Sequence, residues 1–428
     1  MPSPWWVHPD RFVLIIMLPL AILICWVTPW VLVNNGKGYS GEVFLDQFFT
    51  LLFLSGLLML AGGAFAAKRI ELRQRRATQL DAFSGPVLDI LFAFCIVAYA
   101  IWFAPIILRS PGLVLGAFLG VEGAVYEIRE QAPNISGVTT LTQFGMSYVC
   151  IYAVSWLRSP ERPRFRHHAY LVVILLAALF RASVNSERIA LIECVFPLVV
   201  VACRWTPWNK ILAWRILRQT APILMIVGGP LVFAVFEINR SWLNHYQYEY
   251  SSMWLFVLER FGFYYVTSVN NLAGYLQMFP WPSGGGEWTF KWLYRFPVIG
   301  ELMPQGALLL QQENWEQFLK EFASEEFNNT TGILVVHHDW GVLVGSLFLL
   351  AYGVFAGFAF RCFEAGRGFL QYFYPVVLYS LFEILRIGYV YDGRAVAAAI
   401  GIGLAFAGQA VWRKCASDPL SAAAPARS

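Results

Sequence analysis

Long apolar runs, separated by short polar or basic segments, recur along the whole chain. A helix of about 20 apolar residues is long enough to cross the hydrocarbon core of a bilayer. The pattern predicts about ten membrane-spanning helices. They are expected at residues 12–33, 43–67, 86–108, 141–157, 169–180, 189–203, 221–236, 341–360, 369–385 and 395–412. The fifth and sixth of these are short for a bilayer, which indicates that the turn between them dips toward the hydrocarbon edge or lies in a wet cavity.

The longest polar interruption is an insert at about residues 237–339. Within it, YYVTSVNN (264–271) predicts a helix with hydroxyls and amides on one side. The segment PWPSGGGEW (280–288) predicts a flexible turn, and its glycines lack the GxxxxGK[ST] spacing of a nucleotide-binding loop. We therefore expect an all-α polytopic membrane protein. Residues 1–416 form a single transmembrane domain with a long outer insert, and residues 417–428 form a disordered cytoplasmic tail.

Composition and charge agree with this class. The chain has 428 residues, of which 58% are hydrophobic and 14% are charged, which excludes an ordinary soluble domain. Dense groups of Lys and Arg at 68–76, 158–166 and 204–218 fall on one side of the ten-helix pattern, and the positive-inside rule makes that side cytoplasmic. Both termini are predicted there as well. The net charge of +4 is then a topological signal and gives no reason to propose nucleic-acid binding.

The cysteines and carboxylates predict neither a disulfide framework nor a metal site. None of the seven cysteines falls in a predicted outer loop, and no CxxC or other metal-ligand spacing occurs. No DxD pair occurs either, which argues against a glycosyltransferase that depends on a divalent metal. We predict no metal and no cofactor.

Arginines flank two predicted outer turns, RASVNSER (181–188) and RIGYVYDGR (386–394). A guanidinium near the hydrocarbon edge needs an anionic partner or water, and it is suited to bidentate binding of phosphate. For the first turn, the alternative is that the arginines snorkel to the surface with Glu187 as an ordinary salt-bridge partner. For the second turn, the alternative is an interfacial anchor of aromatic and cationic residues.

The stretch FNNTTGILVVHHDWGVLVG (327–345) places amides, hydroxyls, two histidines and a carboxylate before an apolar run that starts at Gly341. His337, His338 or Asp339 can accept a proton from a hydroxyl nucleophile at an outer cavity. The alternative for Asp339 is a helix N-cap.

Four stretches together resemble a family. They are EIREQAPNISGVTTLTQFG (127–145), RASVNSERIALIE (181–193), YYVTSVNN and FNNTTGILVVHHDWGVLVG. In their order and topology, the chain resembles a bacterial oligosaccharide repeat-unit polymerase of the Wzy-type or O-antigen polymerase family. The segment PWPSGGGEW matches no part of that pattern.

The resemblance implies a GT-C-like, metal-independent glycosyltransferase of the bacterial inner membrane, with its active site facing the periplasm. The donor and acceptor are implied to be polyprenyl-diphosphate-linked oligosaccharides, with a chain-length-determining co-polymerase and a flippase as further partners. The implied diphosphate ligands are Arg181 and Arg188, then Arg386 and Arg394, and then Arg129. The implied proton acceptors are His338, His337 and Asp339, and the implied sugar-binding residues are Tyr265, Asn270, Asn271, Asn328 and Asn329.

Three other functions remain open. An O-antigen ligase uses the same donor with a different acceptor, and the sequence discriminates poorly between the two. A polysaccharide flippase predicts ionisable residues deep in several spans and an internal repeat, and the sequence shows few such charges and no repeat. A structural membrane scaffold does not explain the outer arginines.

Overall fold

A computed structural model describes residues 3–34, 42–70, 83, 85–121, 123–133, 135, 137–158, 163–185, 187–206, 212–243, 246–296, 299–391 and 393–417. Within these residues the regular structure is entirely helical, so the predicted all-α class is confirmed. The tail predicted to be disordered lies outside the described residues from 418 onward.

The longer helices are α1 (Pro9–Val33), α2 (Gln47–Ala67), α3 (Gly85–Arg109), α4 (Pro111–Leu119), α5 (Ala124–Gln131), α6 (Phe144–Arg158), α7 (Phe165–Val184), α8 (Ile189–Trp205), α9 (Leu212–Glu237), α10 (Met253–Met278), α11 (Gln305–Phe322), α12 (Gly332–Ala365), α13 (Leu370–Glu383) and α14 (Gly393–Ser417). Short helical turns lie at Trp5–Val7, Val138–Leu141, Ile238–Trp242, Tyr246–Tyr248, Lys291–Tyr294, Gly300–Leu302, Glu325–Phe327 and Tyr389–Tyr391.

Seven helices in the described part of the chain are long and apolar enough to cross a membrane: α1, α2, α3, α7, α9, α12 and α14. They expose large apolar side chains such as Trp26, Leu108 and Val235, as expected of surfaces that face lipid. The helices α6, α8 and α13 are shorter, with 15, 17 and 14 residues. Because α6 and α13 are buried along nearly their whole lengths, they pack against other helices and do not expose apolar faces as the seven long helices do.

Contacts between helix ends define two ends of the bundle. At the first, which we call the N-terminal end, Asp10 of α1 pairs with Lys68 just after α2 at 2.6 Å. At the same end, the start of α7 pairs with the start of α3, and the end of α8 pairs with the end of α12. At the opposite end, which we call the distal end, the Gly332 N–H at the start of α12 donates to the Ile384 carbonyl just after α13. The helices therefore alternate in direction between two polar ends.

Helices α2 and α12 pack in parallel with their backbones in contact. A Cβ at Gly63 would overlap the Leu350 carbonyl oxygen and lie 2.8 Å from the Val354 nitrogen. A Cβ at Gly353 would meet the Leu60 backbone in the same way. Small residues permit this approach, which is a common means of helix association in membranes.

We expect Gly63→Leu to force α2 and α12 apart and to lower the free energy of unfolding by about 1–3 kcal/mol or more. Thermal unfolding of the detergent-purified protein measures this effect. The neighbouring Gly62 is the matched control, because a Cβ there meets nothing within 4 Å. Equal melting temperatures for Gly63→Leu and Gly62→Leu would contradict the close packing.

The insert places α10 across the distal end, where its polar side chains bind the backbone of other segments. The Asn270 Oδ1 accepts from the Phe44 N–H at 2.9 Å, and the Ser268 hydroxyl donates to the Leu385 carbonyl at 3.0 Å. The Asn271 amide donates to the Phe327 carbonyl at 3.0 Å. The helix predicted for YYVTSVNN is confirmed, and its polar side chains tie α10 to the starts and ends of its neighbours.

Two predicted boundaries were wrong in an informative way. Helix α7 has 20 residues and includes Arg181, so the span before the first arginine turn is of ordinary length. Helix α12 starts at Gly332, nine residues before the predicted start at Gly341. In both cases hydropathy failed because polar residues within the helix are satisfied by protein partners.

Candidate functional site

Three arginines from separate parts of the chain meet at the distal end around the turn between α7 and α8. We call this group the Glu187 cluster; its members are Arg129, Thr142, Arg181, Asn185, Glu187, Glu193 and Arg394. It joins α5, the segment just before α6, the end of α7, the start of α8 and the start of α14.

The Arg181 guanidinium is buried and held on several sides. Its Nε donates to Glu187 Oε2 at 2.8 Å, and a terminal nitrogen also pairs with that oxygen. The other terminal nitrogen donates to the Thr142 hydroxyl at 2.9 Å. The guanidinium carbon also lies 4.9 Å from the centre of the Trp102 ring, within range of a cation–π contact. These contacts fix the plane of the guanidinium.

Arg394 approaches the same carboxylate from α14. One terminal nitrogen donates to Glu187 Oε2 at 3.1 Å, and the other donates to Glu193 Oε1 at 2.9 Å. Arg129 reaches the turn through its Nε, which donates to the Asn185 carbonyl at 3.0 Å. Burial alone would raise the pKa of Glu187, but Arg181 and Arg394 outweigh burial and hold that pKa below its ordinary value. Glu187 therefore acts as the shared counter-ion of two guanidiniums.

Arg188 does not join Arg181, although the two flank one turn. Its guanidinium pairs with Glu237 at 2.8 Å and lies over the Phe233 ring at 4.0 Å. Glu237 also pairs with Arg260 of α10 at 2.9 Å, and Arg260 pairs with Glu326. The pKa of Arg260 is raised, since these carboxylates outweigh the effect of its burial. This second network fastens α10 to the end of α9.

We expect Glu237→Gln to lower the free energy of unfolding by about 3–5 kcal/mol, because it leaves the partly buried Arg188 and the buried Arg260 without the charge they share. Thermal unfolding in detergent is the measurement. Glu325→Gln is the control, because the Lys320–Glu325 pair spans 3.8 Å and is largely exposed. A Glu237→Gln variant as stable as the control would show that the second network has no structural role.

Arg386 forms a third, separate ion pair. Its guanidinium binds Glu383, the last residue of α13, at 2.8 and 2.9 Å. Burial lowers the pKa of Arg386, but the neighbouring Glu383 carboxylate outweighs it, and the net shift is upward. The structure thus brings Arg129, Arg181 and Arg394 together and places Arg188 and Arg386 on other carboxylates.

Helix α12 is broken at Gly341, where φ is 71° and ψ is 179°. Only glycine adopts this backbone without strain. The segment predicted to be a flexible turn, PWPSGGGEW, is instead docked at the break. There the Ser283 N–H donates to the His338 carbonyl at 3.1 Å and the Gly284 N–H donates to the Asp339 carbonyl at 2.8 Å. The glycine-rich segment therefore satisfies carbonyls that the break leaves without helical partners.

Asp339 is fully buried at the break and does not cap the helix, because Thr331 does so. Its Oδ2 accepts from the N–H groups of Trp288 at 3.1 Å and Thr289 at 2.5 Å. Its Oδ1 lies 2.8 Å from His338 Nδ1 and accepts from the Ser283 hydroxyl at 3.2 Å. The carboxylate therefore joins the glycine-rich segment to the first part of α12.

The two histidines face different surroundings. His338 is buried beneath Trp288 and Tyr275, with ring centres 4.9 and 5.6 Å away. His337 is also buried, with Nδ1 2.9 Å from the Ile333 carbonyl and Nε2 3.3 Å from the Ser346 hydroxyl. Trp288 of the glycine-rich segment and Tyr275 of α10 therefore both cover His338.

The predicted sugar-binding residues divide by exposure. Asn270 and Asn271 are fully buried with their amides on backbone groups, so the geometry gives them a structural role and they are not retained as sugar ligands. Asn328 is exposed at the distal end, and Asn329 and Tyr265 are partly exposed. These three remain available to a ligand.

The carboxylates that organise these networks were not selected from the sequence. Glu187 was considered only as an ordinary salt-bridge partner, and the others are Glu193, Glu237, Glu287 and Glu383. For Glu237 and Glu383 a usable signal existed in their positions, because acidic residues near the predicted ends of apolar helices are costly unless they are paired. Glu287 gave no such signal; it is buried beside the break and accepts from the Ser283 hydroxyl at 2.9 Å.

Among the residues that the structure describes, no group of three or more His, Cys, Asp or Glu side chains is placed to hold a metal ion. Comparisons with protein-family models, with curated proteins and with solved structures found no match to this chain.

Proposed function

We propose that this chain is a membrane-embedded oligosaccharide repeat-unit polymerase that acts on polyprenyl-diphosphate-linked substrates at the outer face of a bacterial inner membrane. One observation supports this function most directly: the four sequence stretches that resemble the polymerase family lie far apart in the chain, yet they contact each other in two pairs at the distal end, and one further segment bridges the pairs.

The first two stretches contact each other within the Glu187 cluster, through Arg181 with Thr142 and Arg129 with Asn185. The last two contact each other where the Thr331 N–H donates to the Ser268 carbonyl at 3.2 Å. The segment 385–394 bridges both pairs, since Arg394 binds Glu187 at one side and the Leu385 carbonyl accepts from Ser268 at the other. Such convergence is expected of a substrate site and is not required of a scaffold.

The proposed topology has ten spans, with α6, α8 and α13 as short interior crossings and α10 and α11 on the outer face. The described flanks of the dense basic connections, at Lys68, Arg166 and Arg204, lie at the N-terminal end, which the positive-inside rule assigns to the cytoplasm. The distal end then faces the periplasm, where lipid-linked repeat units are displayed.

In the proposed reaction, an acceptor hydroxyl oxygen forms a bond to the anomeric carbon of the donor saccharide. The bond from that carbon to the diphosphate oxygen breaks, and its electron pair leaves with the lipid diphosphate. The charge that grows on the leaving group is stabilised by fixed guanidiniums, for which Arg181 and Arg394 are the first candidates and Arg129 is the next. Arg188 and Arg386 contribute indirectly by holding the surrounding helices.

The acceptor hydroxyl must also lose its proton. His338 is the favoured acceptor because Asp339 orients its ring, whereas His337 contacts only groups within and beside its own helix. Opening of the glycine-rich segment is then part of the catalytic cycle. Asn328, Asn329 and Tyr265 are proposed to contact saccharide at the same end.

One observation favours a transporter as the second candidate. Helix α12 is discontinuous, with a buried carboxylate at its break, and broken helices commonly line the substrate sites of secondary transporters. A flippase of lipid-linked units would use the same anionic substrate.

The surface polysaccharide of a deletion strain tests these functions together. Loss of a polymerase leaves single ligated repeat units in place of a ladder. Loss of a ligase leaves long chains on the polyprenyl carrier, and loss of a flippase leaves lipid-linked units on the cytoplasmic face. Either of the last two results would overturn the polymerase function.

A further inference from the structure

Glu187 holds an unusual position for a side chain of the proposed site. One of its oxygens, Oε2, receives Arg181 Nε at 2.8 Å and Arg394 at 3.1 Å. Two guanidiniums that converge on one oxygen form the arrangement that binds a phosphate oxygen. In this structure a carboxylate of the chain itself occupies that point.

The guanidiniums have other contacts that orient them. Arg181 keeps the Thr142 hydroxyl at 2.9 Å and the Trp102 ring, and Arg394 keeps Glu193 at 2.9 Å. If Glu187 moved away, both groups would still point toward the space it left. A counter-ion that is not needed for orientation can be exchanged for another anion.

Exposure indicates the side from which an anion would enter. The Arg181 side chain is 5% exposed, whereas those of Glu187 and Arg394 are 18% and 25% exposed. Glu187 lies on the short turn between α7 and α8, outside both helices, where its Oε1 accepts from the Asn185 side-chain amide at 2.9 Å. An anion can therefore meet Arg394 first and then displace Glu187 from Arg181.

We propose that Glu187 Oε2 marks the position of a phosphate oxygen of the ligand, and that a diphosphate binds by taking the place of the Glu187 carboxylate between Arg181 and Arg394. The identification of that diphosphate as the lipid-linked donor rests on the proposed function. The exchange itself rests only on the contacts of the Glu187 cluster.

Binding of inorganic pyrophosphate and of farnesyl diphosphate to the full-length protein in detergent tests the exchange. Glu187→Gln should bind inorganic pyrophosphate about tenfold more tightly than the unmodified chain, since no charge has to be displaced. Glu187→Asp, which keeps the charge but shortens its reach, should lie between the two. Thermal unfolding shows whether each variant is folded. If Glu187→Gln does not fold, the comparison of Glu187→Asp with the unmodified chain still tests the exchange.

Glu193→Gln is the matched control, because it removes a negative charge from the same cluster but leaves Glu187 in place. It should not tighten binding. If Glu193→Gln tightens pyrophosphate binding as much as Glu187→Gln does, the effect is a general one of charge and the exchange is overturned. The exchange is also overturned if the folded Glu187 variants bind pyrophosphate with unchanged or weaker affinity, or do not bind it. If the Glu187 variants bind pyrophosphate more tightly but farnesyl diphosphate does not bind, the exchange is supported. The identification of the diphosphate as part of the lipid-linked donor is then contradicted.

Discussion

Arg181→Lys is expected to lower the rate of chain extension by about 10²–10³-fold, the usual cost of removing one preorganised donor from a developing anion. Lysine keeps the positive charge, but it lacks the planar guanidinium that binds Glu187 and Thr142 at the same time. It therefore cannot present several N–H groups in one plane to a diphosphate. The length distribution of the surface polysaccharide, with the amount of protein in the membrane, is the measurement.

Two controls separate catalysis from folding. Arg109 is exposed at the distal end of α3, and Arg109→Lys should leave the ladder unchanged. Arg188→Lys should mainly lower the melting temperature, because Arg188 belongs to the network around Glu237. A normal ladder from Arg181→Lys, at normal protein levels, would remove Arg181 from the site.

Asp339→Asn is expected to lower the free energy of unfolding by on the order of 3 kcal/mol and to release the glycine-rich segment. Asparagine keeps one acceptor oxygen but loses the charge that four groups now share: two backbone N–H groups, the Ser283 hydroxyl and His338. Thermal unfolding and the rate of proteolysis within residues 280–289 measure the two effects.

Ser283→Ala is the matched control for Asp339→Asn, since it removes only the hydroxyl contacts with Asp339 and Glu287. It should cost about 1 kcal/mol and leave the segment docked. If Asp339→Asn is no more sensitive to protease than Ser283→Ala, the carboxylate does not hold the segment at the break.

Much of the fold could be predicted from the apolar runs, because bilayer-length helices follow directly from hydropathy and length. The described residues that flank the basic connections, such as Lys68 and Arg166, also lie at one end of the bundle. The failures have a common physical cause. Helix α10 is too polar to stand out, yet its polar groups are satisfied by backbone from distant segments, as between Asn270 and Phe44.

The candidate site was less predictable than the fold. The spacing of Arg181 and Arg188 predicted that they act as a pair. In the structure they lie on either side of a turn and bind different carboxylates, Glu187 and Glu237. The true neighbour of Arg181 is Arg394, more than 200 residues away, and no local pattern links them. The sequence placed the start of a span at Gly341, but it did not reveal that this glycine is a break within a longer helix, because the identity of a residue does not give its backbone angles.

Glycan elongation by the purified protein in liposomes, supplied with one synthetic polyprenyl-diphosphate-linked oligosaccharide, tests the proposed function most directly. We predict products that increase by whole repeat units, with release of polyprenyl diphosphate, and loss of both when Arg181 is replaced by lysine. A folded protein that leaves every oligosaccharide at its starting length, or that moves it across the bilayer without extension, would contradict the function proposed for this chain.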